Sequence, residues 1–183
     1  MEIFTTPRLR FRNFNRNDVH NLSLLDSDKE VMEYLTDGIT FPIHETKKRL
    51  ERLIRDNSQS KPLGTWAVEF LEDNEFAGWF MLKPFPGFNY PEVGFRLIKK
   101  YWGRGLATEG VVRVLDYGFN SLKLEKIMAI VHPGNTASIR VLKKAGLKYI
   151  KTIPFFNPVP NREVEAKLFE IFRMKNSSQC FNS

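Results

Sequence analysis

The chain has 183 residues, 42% hydrophobic and 27% charged, with 28 Lys plus Arg against 21 Asp plus Glu. That length suits one domain with a single good core and is too short for two comfortable ones. No apolar run approaches the ~20 residues of a membrane-spanning helix, and residues 1–4 (MEIF) lack the basic-then-apolar layout of a signal peptide. We predict a cytoplasmic protein with one domain over residues 1–175 and a disordered polar tail over residues 176–183.

The net charge of +7 allows two interpretations. It suits nucleic acid or an anionic cofactor, and it is also consistent with an ordinary solvated basic surface. No RRM, KH, zinc-finger or helix-turn-helix signature appears, so nucleic-acid binding is the less favoured option. The chain has a single cysteine, Cys180, which excludes an intrachain disulfide. Cys180 lies in a polar tail three residues from the end, which disfavours a catalytic thiol. No His/Cys/Asp spacing indicates a metal site.

The first half of the chain predicts a strand, helices and a hairpin. Alternating apolar residues and capping signals indicate, in order, a strand over residues 9–14, a helix from Asn17-Asp18 through Leu25, a short helical turn over 29–34, an amphipathic helix over 45–56 and hairpin strands over 66–71 and 76–83. A loop rich in proline, glycine and aromatic residues follows over 84–91.

The second half alternates strands and helices. We predict a central strand beginning near Glu92, a helix over residues 106–119, a short buried strand over 127–131, a helix after Asn135 that ends at Gly146, and strands over 148–153 and 164–173. Together these segments give one α/β unit with seven strands.

The junction between the central strand and its helix contains Gly103-Arg104-Gly105. Two glycines one residue apart let the backbone turn tightly. The first N–H groups of the following helix are unpaired within it and point toward the turn, where the helix dipole favours an anion such as phosphate. An ordinary strand-to-helix turn is the alternative, because short glycine motifs carry a real false-positive risk.

The residues around these glycines resemble a known signature. Residues 102–107 (WGRGLA) are similar to the acyl-CoA motif Q/R-x-x-G-x-G/A of the GNAT N-acetyltransferases. Trp102 departs from the usual Gln or Arg, and with Thr108-Glu109 it resembles the RimJ/RimL-like (ribosomal-protein N-acetyltransferase-like) branch, where YWG or FWG is common. Residues 6–12 (TPRLRFR) and 135–147 (NTASIRVLKKAGL) resemble two further elements of that branch.

The resemblance implies an α/β (α+β) GNAT fold, a single mixed, mostly antiparallel twisted sheet of about seven strands that is splayed between the fourth and fifth and flanked by helices. It implies an acyltransferase that moves an acetyl group from acetyl-CoA directly to a primary amine, with no metal. The acceptor would be a peptide N-terminus or a small molecule, and the protein a monomer or homodimer away from membranes.

The resemblance also assigns residues to the cofactor. Backbone N–H groups at the end of the central strand would meet the acyl and pantetheine groups, the glycine turn would bind the pyrophosphate with Arg104 adding charge, and the later helix would hold the cofactor arm and the 3′-phosphate. The candidates are Arg96, Leu97 and Ile98; Gly103, Arg104, Gly105, Ala107 and Thr108; and Asn135, Ser138, Arg140 and Lys143, with Lys144 in the same cluster.

The resemblance also assigns a catalytic role to Glu92 and a second, catalytic role to Ser138. Glu92 matches the position from which some relatives use a glutamate as base, directly or through water, while an exposed strand-end carboxylate is an equal alternative. The departing thiolate needs a proton, and Ser138 is the hydroxyl that fits, because no tyrosine lies between Ser138 and Leu147. Helix capping alone is the alternative for Asn135 and Ser138. Glu109, in the first helical turn, is interpreted as structural.

The acceptor is the least determined part. We expect its site to be built by residues 29–34, 85–90 and 155–160, of which the last two are aromatic and proline-rich. An acidic pocket would indicate a polyamine or aminoglycoside acceptor, but the sequence contains no concentrated run of acidic residues. Carboxylates distant in sequence could still converge on the acceptor site. A catalytically idle CoA-binding or regulatory module, and less favourably a basic nucleic-acid-binding protein, remain alternatives.

Overall fold

The computed structural model describes residues 2–174, so the predicted polar tail with Cys180 lies outside the described residues. A single open sheet of eight strands forms the centre of the molecule. The strands are β1 (Glu2–Thr5), β2 (Leu9–Asn13), β3 (Gly64–Phe70), β4 (Phe76–Pro84), β5 (Pro91–Leu97), β6 (Lys126–Val131), β7 (Lys148–Asn157) and β8 (Arg162–Phe172).

Strand order in the sheet is β1-β2-β3-β4-β5-β6-β8-β7. Every neighbouring pair is antiparallel except β5 and β6, which are parallel and share one register position, Glu92 with Met128. By contrast, β4 and β5 pair from Gly78–Leu97 to Pro84–Pro91. The two central strands therefore diverge beyond Glu92, which is the predicted splay.

Within residues 2–174, five α-helices cover the sheet. They are α1 (Val19–Asp26), α2 (Lys29–Thr36), α3 (Ile43–Gln59), α4 (Leu106–Asp116) and α5 (Thr136–Lys144). A 3-10 turn, Arg16–Asp18, precedes α1, and a π-helical turn, Tyr117–Ser121, extends α4.

Two apolar clusters lie on opposite faces of the sheet. The larger packs α4 against the sheet and includes Phe11, Phe80, Val111 and Val114. The smaller one packs α1 and α3 against the other face and includes Leu25 and Leu50. Burial on both faces explains why β3, reading GTWAVEF, is apolar almost throughout. No helix within residues 2–174 is long and apolar enough to cross a membrane.

The predicted mixed, mostly antiparallel architecture is confirmed, with two differences in detail. β1 was not predicted, so the splay lies between the fifth and sixth strands of eight instead of the fourth and fifth of seven. β7 and β8 are also longer than expected, and Phe155 pairs with Val164 where a loop was predicted. β7 is an edge strand, where Pro154 removes no hydrogen bond between strands, so proline did not end it.

Candidate active site

The divergence of β5 and β6 opens a cleft of about 760 Å³. Residues 93–97 of β5 form one wall and residues 129–132 at the end of β6 form the other. The N-termini of α4 and α5 meet at one side, which we call the cofactor half. Helix α2, the strand β4, Glu92 and the β7–β8 hairpin form the other side, which we call the acceptor half.

The glycine turn has the geometry predicted for an anion site. Gly103 and Gly105 have φ angles of 76° and 78°, values that residues with a side chain rarely adopt. Gly105 is the N-cap of α4, and the first helical N–H that returns to the turn is that of Glu109, which donates to the Gly105 carbonyl at 3.1 Å. The N–H groups of Leu106, Ala107 and Thr108 precede it and are the unpaired donors of the first turn. Gly103, Gly105, Ala107 and Thr108 all line the cleft.

The end of β5 offers one of its three predicted backbone donors to the cleft. The Ile98 N–H donates to the Ala77 carbonyl of β4 at 3.0 Å. N–H directions alternate along a strand, so the Arg96 amide also faces β4 and the Leu97 amide faces the gap toward β6. The Leu97 carbonyl faces the same way and accepts a bond from Trp102 Nε1 at 2.9 Å. Ile98 does not line the cleft, whereas Leu97 and Trp102 do.

Helix α5 presents two of the three cations named from the sequence to the cleft. Arg140 and Lys144, four residues apart and therefore on one helical face, line the cleft. Lys143 is exposed on another face and lies outside it. Asn135 caps the helix by accepting from the Ser138 N–H at 2.9 Å. Asn135 and Ser138 line the cleft as predicted.

Arg104 and Glu109 serve the turn from outside the cleft. The Arg104 guanidinium lies 5.3 Å from the ring centroid of Phe70 and 5.5 Å from that of Tyr101, so its head group packs on aromatic rings and is not itself part of the cleft lining. Glu109 accepts from Arg8 Nε at 2.7 Å, and Arg8 Nη1 donates to the Arg104 carbonyl at 3.0 Å. These contacts fix the turn and agree with a structural role for Glu109.

Glu92 lies at the point where the sheet opens. Its side chain is partly buried, lines the cleft, and accepts a hydrogen bond from the backbone N–H of Ile130 on β6. Burial raises the pKa of the Glu92 carboxyl to about 7, with that hydrogen bond opposing the rise. Such a group is part carboxylate and part acid at neutral pH, which suits general acid–base work. The hydrogen bond also satisfies a strand N–H at the gap, so a structural role coexists.

The acceptor half joins the elements that the sequence indicated. Tyr34 of α2, Phe85 and Phe155 all line the cleft. The hairpin is held against α2 by Asn157, whose Nδ2 donates to the Leu35 carbonyl at 2.8 Å, and by an ion pair between Arg162 and Asp37.

Several acceptor-half residues were not predicted. Trp79 and Met81 of β4 line the cleft beside Glu92, and no local motif marks them. The Tyr34 ring lies 5.3 Å from that of His132, at the strand end that leads to α5. Helix α2 therefore brings a tyrosine close to α5, which has none of its own. Hydrogen bonding to Glu33 raises the pKa of Tyr34.

Carboxylates from three elements converge on the acceptor half. They are Glu30 and Glu33 of α2, Asp37 at the C-cap of α2, Glu92 of β5 and Glu165 of β8. Glu30 is paired with Lys99 and Asp37 with Arg162. No compact acidic run exists in the sequence, and folding alone brings these groups together. No group of three or more potential metal ligands occurs within residues 2–174.

Comparison with known proteins agrees with this geometry. A family model described as an acetyltransferase (GNAT) domain matches residues 8–148. A spermidine N(1)-acetyltransferase of Escherichia coli (strain K12) is 29% identical over 140 residues, 75% of this chain and 72% of that protein. A GNAT-family acetyltransferase structure from Bacillus anthracis superposes with a TM-score of 0.81 at 26% identity, covering 96% of this chain and 100% of that one.

A ribosomal-protein-S5-alanine acetyltransferase from Vibrio fischeri superposes with a TM-score of 0.72, covering 94% of this chain and 97% of that one. At 17% identity this likeness shows the fold alone. Ribosomal-protein acetyltransferases are thus among the structural neighbours, as the sequence signature indicated. The family match spans most of the chain, and the chain belongs to the GNAT acetyltransferase family.

Proposed function

We propose that this protein transfers the acetyl group of acetyl-CoA directly to a primary amine. The observation that carries the proposal is Glu92, a carboxyl with a pKa near 7 placed where the sheet opens into the cleft. An attacking amine must be deprotonated, and a lysine-like amine with a pKa near 10.4 is mostly charged at neutral pH. Glu92, directly or through water, takes the proton that the amine loses.

The cofactor half supplies the remaining requirements. The Leu97 N–H faces the gap and is placed to stabilise negative charge on the thioester oxygen. The first-turn N–H groups of α4 suit the pyrophosphate, and Arg140 and Lys144 suit the 3′-phosphate. When the tetrahedral intermediate collapses, the carbon–sulfur bond breaks and the thiolate takes a proton. Ser138 and Tyr34 both line the cleft and are our candidates for this proton donor.

The cysteine content supports transfer without a cysteine-bound acyl intermediate. The chain has one cysteine, Cys180, and it belongs to the tail that the sequence predicts to be disordered. The amine therefore attacks the thioester itself, which forms the amide bond and releases CoA.

The acceptor class is supported by charge. Glu33 and Glu165 line the acceptor half alongside Glu92, and such a surface favours a cationic amine over an uncharged one. Aromatic side chains of Tyr34, Trp79 and Phe85 also line the acceptor half, and aromatic rings attract organic cations. The likeness to a spermidine acetyltransferase is consistent with a small polyamine. A peptide N-terminus is the second candidate, because the aromatic, open cleft also suits a chain end.

The test is a thiol-release assay with acetyl-CoA across diamines, polyamines, monoamines and N-terminal peptides. We expect amine-dependent release, strongest for acceptors with a second positive charge. Absence of calorimetric binding at millimolar acetyl-CoA would remove the enzyme assignment. Binding without turnover of any amine would instead favour an idle CoA-binding module. Salt-dependent retention on DNA, unaffected by CoA, would favour a nucleic-acid-binding protein. The cytoplasmic location and the monomer or homodimer state stay predictions of the sequence.

A further inference from the structure

A buried ion-pair cluster lies behind the acceptor half. Its centre is Asp26, the last residue of α1, with no exposed surface. One carboxylate oxygen accepts from Arg96 Nη1 of β5 at 2.9 Å. The other accepts from Thr46 Oγ1 at 3.1 Å and lies 3.3 Å from Arg49 Nε, both on α3. One carboxylate therefore joins α1, α3 and β5.

Arg96 extends this cluster to the surface of the cleft. Its Nη1 lies 3.4 Å from Met32 Sδ on α2, and its guanidinium lies 5.1 Å from the ring centroid of Trp79 on β4. Arg96 and Trp79 line the cleft, as do the residues of α2 on either side of Met32. Arg96 thus connects the strand floor of the acceptor half to the helix that forms its wall.

The arrangement is poorly explained by stability alone. Arg96 is 9% exposed, and its Nε has no hydrogen-bond partner. Burial lowers the pKa of Arg96 to about 10, with Asp26 opposing the change, so the side chain stays charged at neutral pH. An unpaired buried donor and a desolvated charge both oppose folding, and an apolar side chain of similar volume would avoid both. What an apolar side chain lacks is a directional bond to Asp26.

The position of Arg96 on β5 relates it to the base. Side chains alternate along a strand, so Glu92, Gly94 and Arg96 share one face. Gly94 places no side chain between Glu92 and Arg96, and a Cβ there would lie only 2.6 Å from Met81 Cε. The acceptor space is therefore bounded by Glu92 at one end of the strand and by Arg96, with α2 packed on it, at the other.

We propose that Arg96 is a positioning residue that, through Asp26 and Met32, sets the distance between α2 and the strand carrying Glu92, and so selects which amines reach the thioester. This inference rests on the proposed function. It assigns no contact between Arg96 and the reacting atoms.

The first test compares Arg96→Met and Arg96→Lys in the full-length protein. We expect Arg96→Met to raise KM for the best amine about 10-fold or more, because a displaced α2 loses contacts that bind the amine equally in the ground and transition states, while kcat and the acetyl-CoA affinity change less than about threefold. Arg96→Lys retains a charge for Asp26 and should recover part of the loss. Asp26→Asn should reproduce Arg96→Met.

The matched control is Arg12→Met. Arg12 of β2 is likewise paired with a buried carboxylate, that of Asp18, to which both of its Nη atoms donate at 2.8 Å, but Arg12 lies outside the cleft. It should lower the melting temperature as Arg96→Met does and leave KM unchanged. Equal KM changes in the two variants, or a loss of acetyl-CoA affinity in step with KM for Arg96→Met, would overturn the inference.

A second measurement is independent of turnover. Amide hydrogen exchange across residues 29–36 should be faster in Arg96→Met than in Arg12→Met, because α2 loses the contact between Met32 and Arg96 only in the former. Unchanged exchange in α2 would refute the positioning role, whether or not any amine is acetylated. If the wild type turns over no amine while α2 exchange responds as expected, the proposed function fails and the anchoring of α2 by Arg96 stands.

Discussion

The two halves of the cleft are built from different kinds of group. In the cofactor half the donors are mainly backbone N–H groups, those of the first turn of α4 and of Leu97. In the acceptor half the chemistry lies in side chains from separate elements, such as Tyr34, Trp79, Glu92 and Glu165. A backbone site survives most substitutions and fails only where the main-chain conformation changes. A side-chain site can be altered one residue at a time, which suits the part of the enzyme that decides specificity.

The largest expected effect is at the base. Glu92→Gln keeps an oxygen that can accept from the Ile130 N–H but cannot take a proton, so we expect kcat/KM to fall about 10²- to 10⁴-fold. Acetyl-CoA binding should be unchanged by calorimetry. Glu92→Ala, which also removes the hydrogen bond, separates the structural contribution. A near wild-type rate for Glu92→Gln would assign Glu92 to the sheet alone.

The pH dependence of the same pair sharpens this result. The Glu92 pKa rises from 4.5 to about 7 on folding, so activity should rise with pH through about 7 as the carboxyl ionises, and Glu92→Gln should lack that limb. The stability contribution has the opposite sense: it is present below the unfolded pKa and is lost as pH rises through the folded pKa. The free energy of unfolding in urea should therefore be compared at about pH 5 and about pH 8. Between these two values, Glu92→Gln should gain stability relative to wild type.

The next effect is at the glycine turn. Gly105→Ala places a side chain at a φ of 78°, and the resulting strain of about 1–2 kcal/mol should weaken acetyl-CoA binding up to about 10-fold in calorimetry. Gly87→Ala is the control, because Gly87 has a φ of 82° with nothing within 4 Å of an added Cβ and lies outside the cleft. Equal losses of affinity would show that the effect is global destabilisation and not local geometry.

A smaller effect separates the cations of α5. Arg140→Ala removes a charge from the cleft, and we expect about threefold to 10-fold weaker acetyl-CoA binding, decreasing with salt. Lys143→Ala removes the same charge from the neighbouring exposed face and should change binding less than about twofold. A larger loss for Lys143→Ala would support the assignment of Lys143 made from the sequence.

The smallest effect concerns the acceptor carboxylates. Glu165→Gln should raise KM for diamines about two- to threefold while leaving monoamines unchanged, because a single exposed charge contributes little. Glu163→Gln, two residues along β8 and outside the cleft, is the control. An equal change for monoamines would argue against recognition of a second cation.

Most of the cofactor half was readable in the sequence because its features are local. Glycines one residue apart at residues 103–105 predict a turn with positive φ, and the following apolar period predicts the helix whose first N–H groups face it. Asn135 predicted the cap of α5 by the same logic. Arg104 and Lys143 were assigned by proximity in sequence to those features. Their side chains face aromatic rings and solvent because rotamer and helical phase, not adjacency, decide direction.

The sequence by itself determined the order of elements from β2 onward, the glycine turn and the family, since each was read from patterns that span no more than about 20 positions. Only the tertiary structure decided that Glu92 is partly buried against Ile130 and that the Tyr34 ring lies beside His132, ahead of α5. It also decided that carboxylates of α2, β5 and β8 converge on the acceptor half. Long-range contacts of this kind include the pair of Asp37 and Arg162, which are 125 residues apart. No local pattern records them, because long-range packing sets solvent exposure, and exposure in turn sets the charge state on which the chemistry depends.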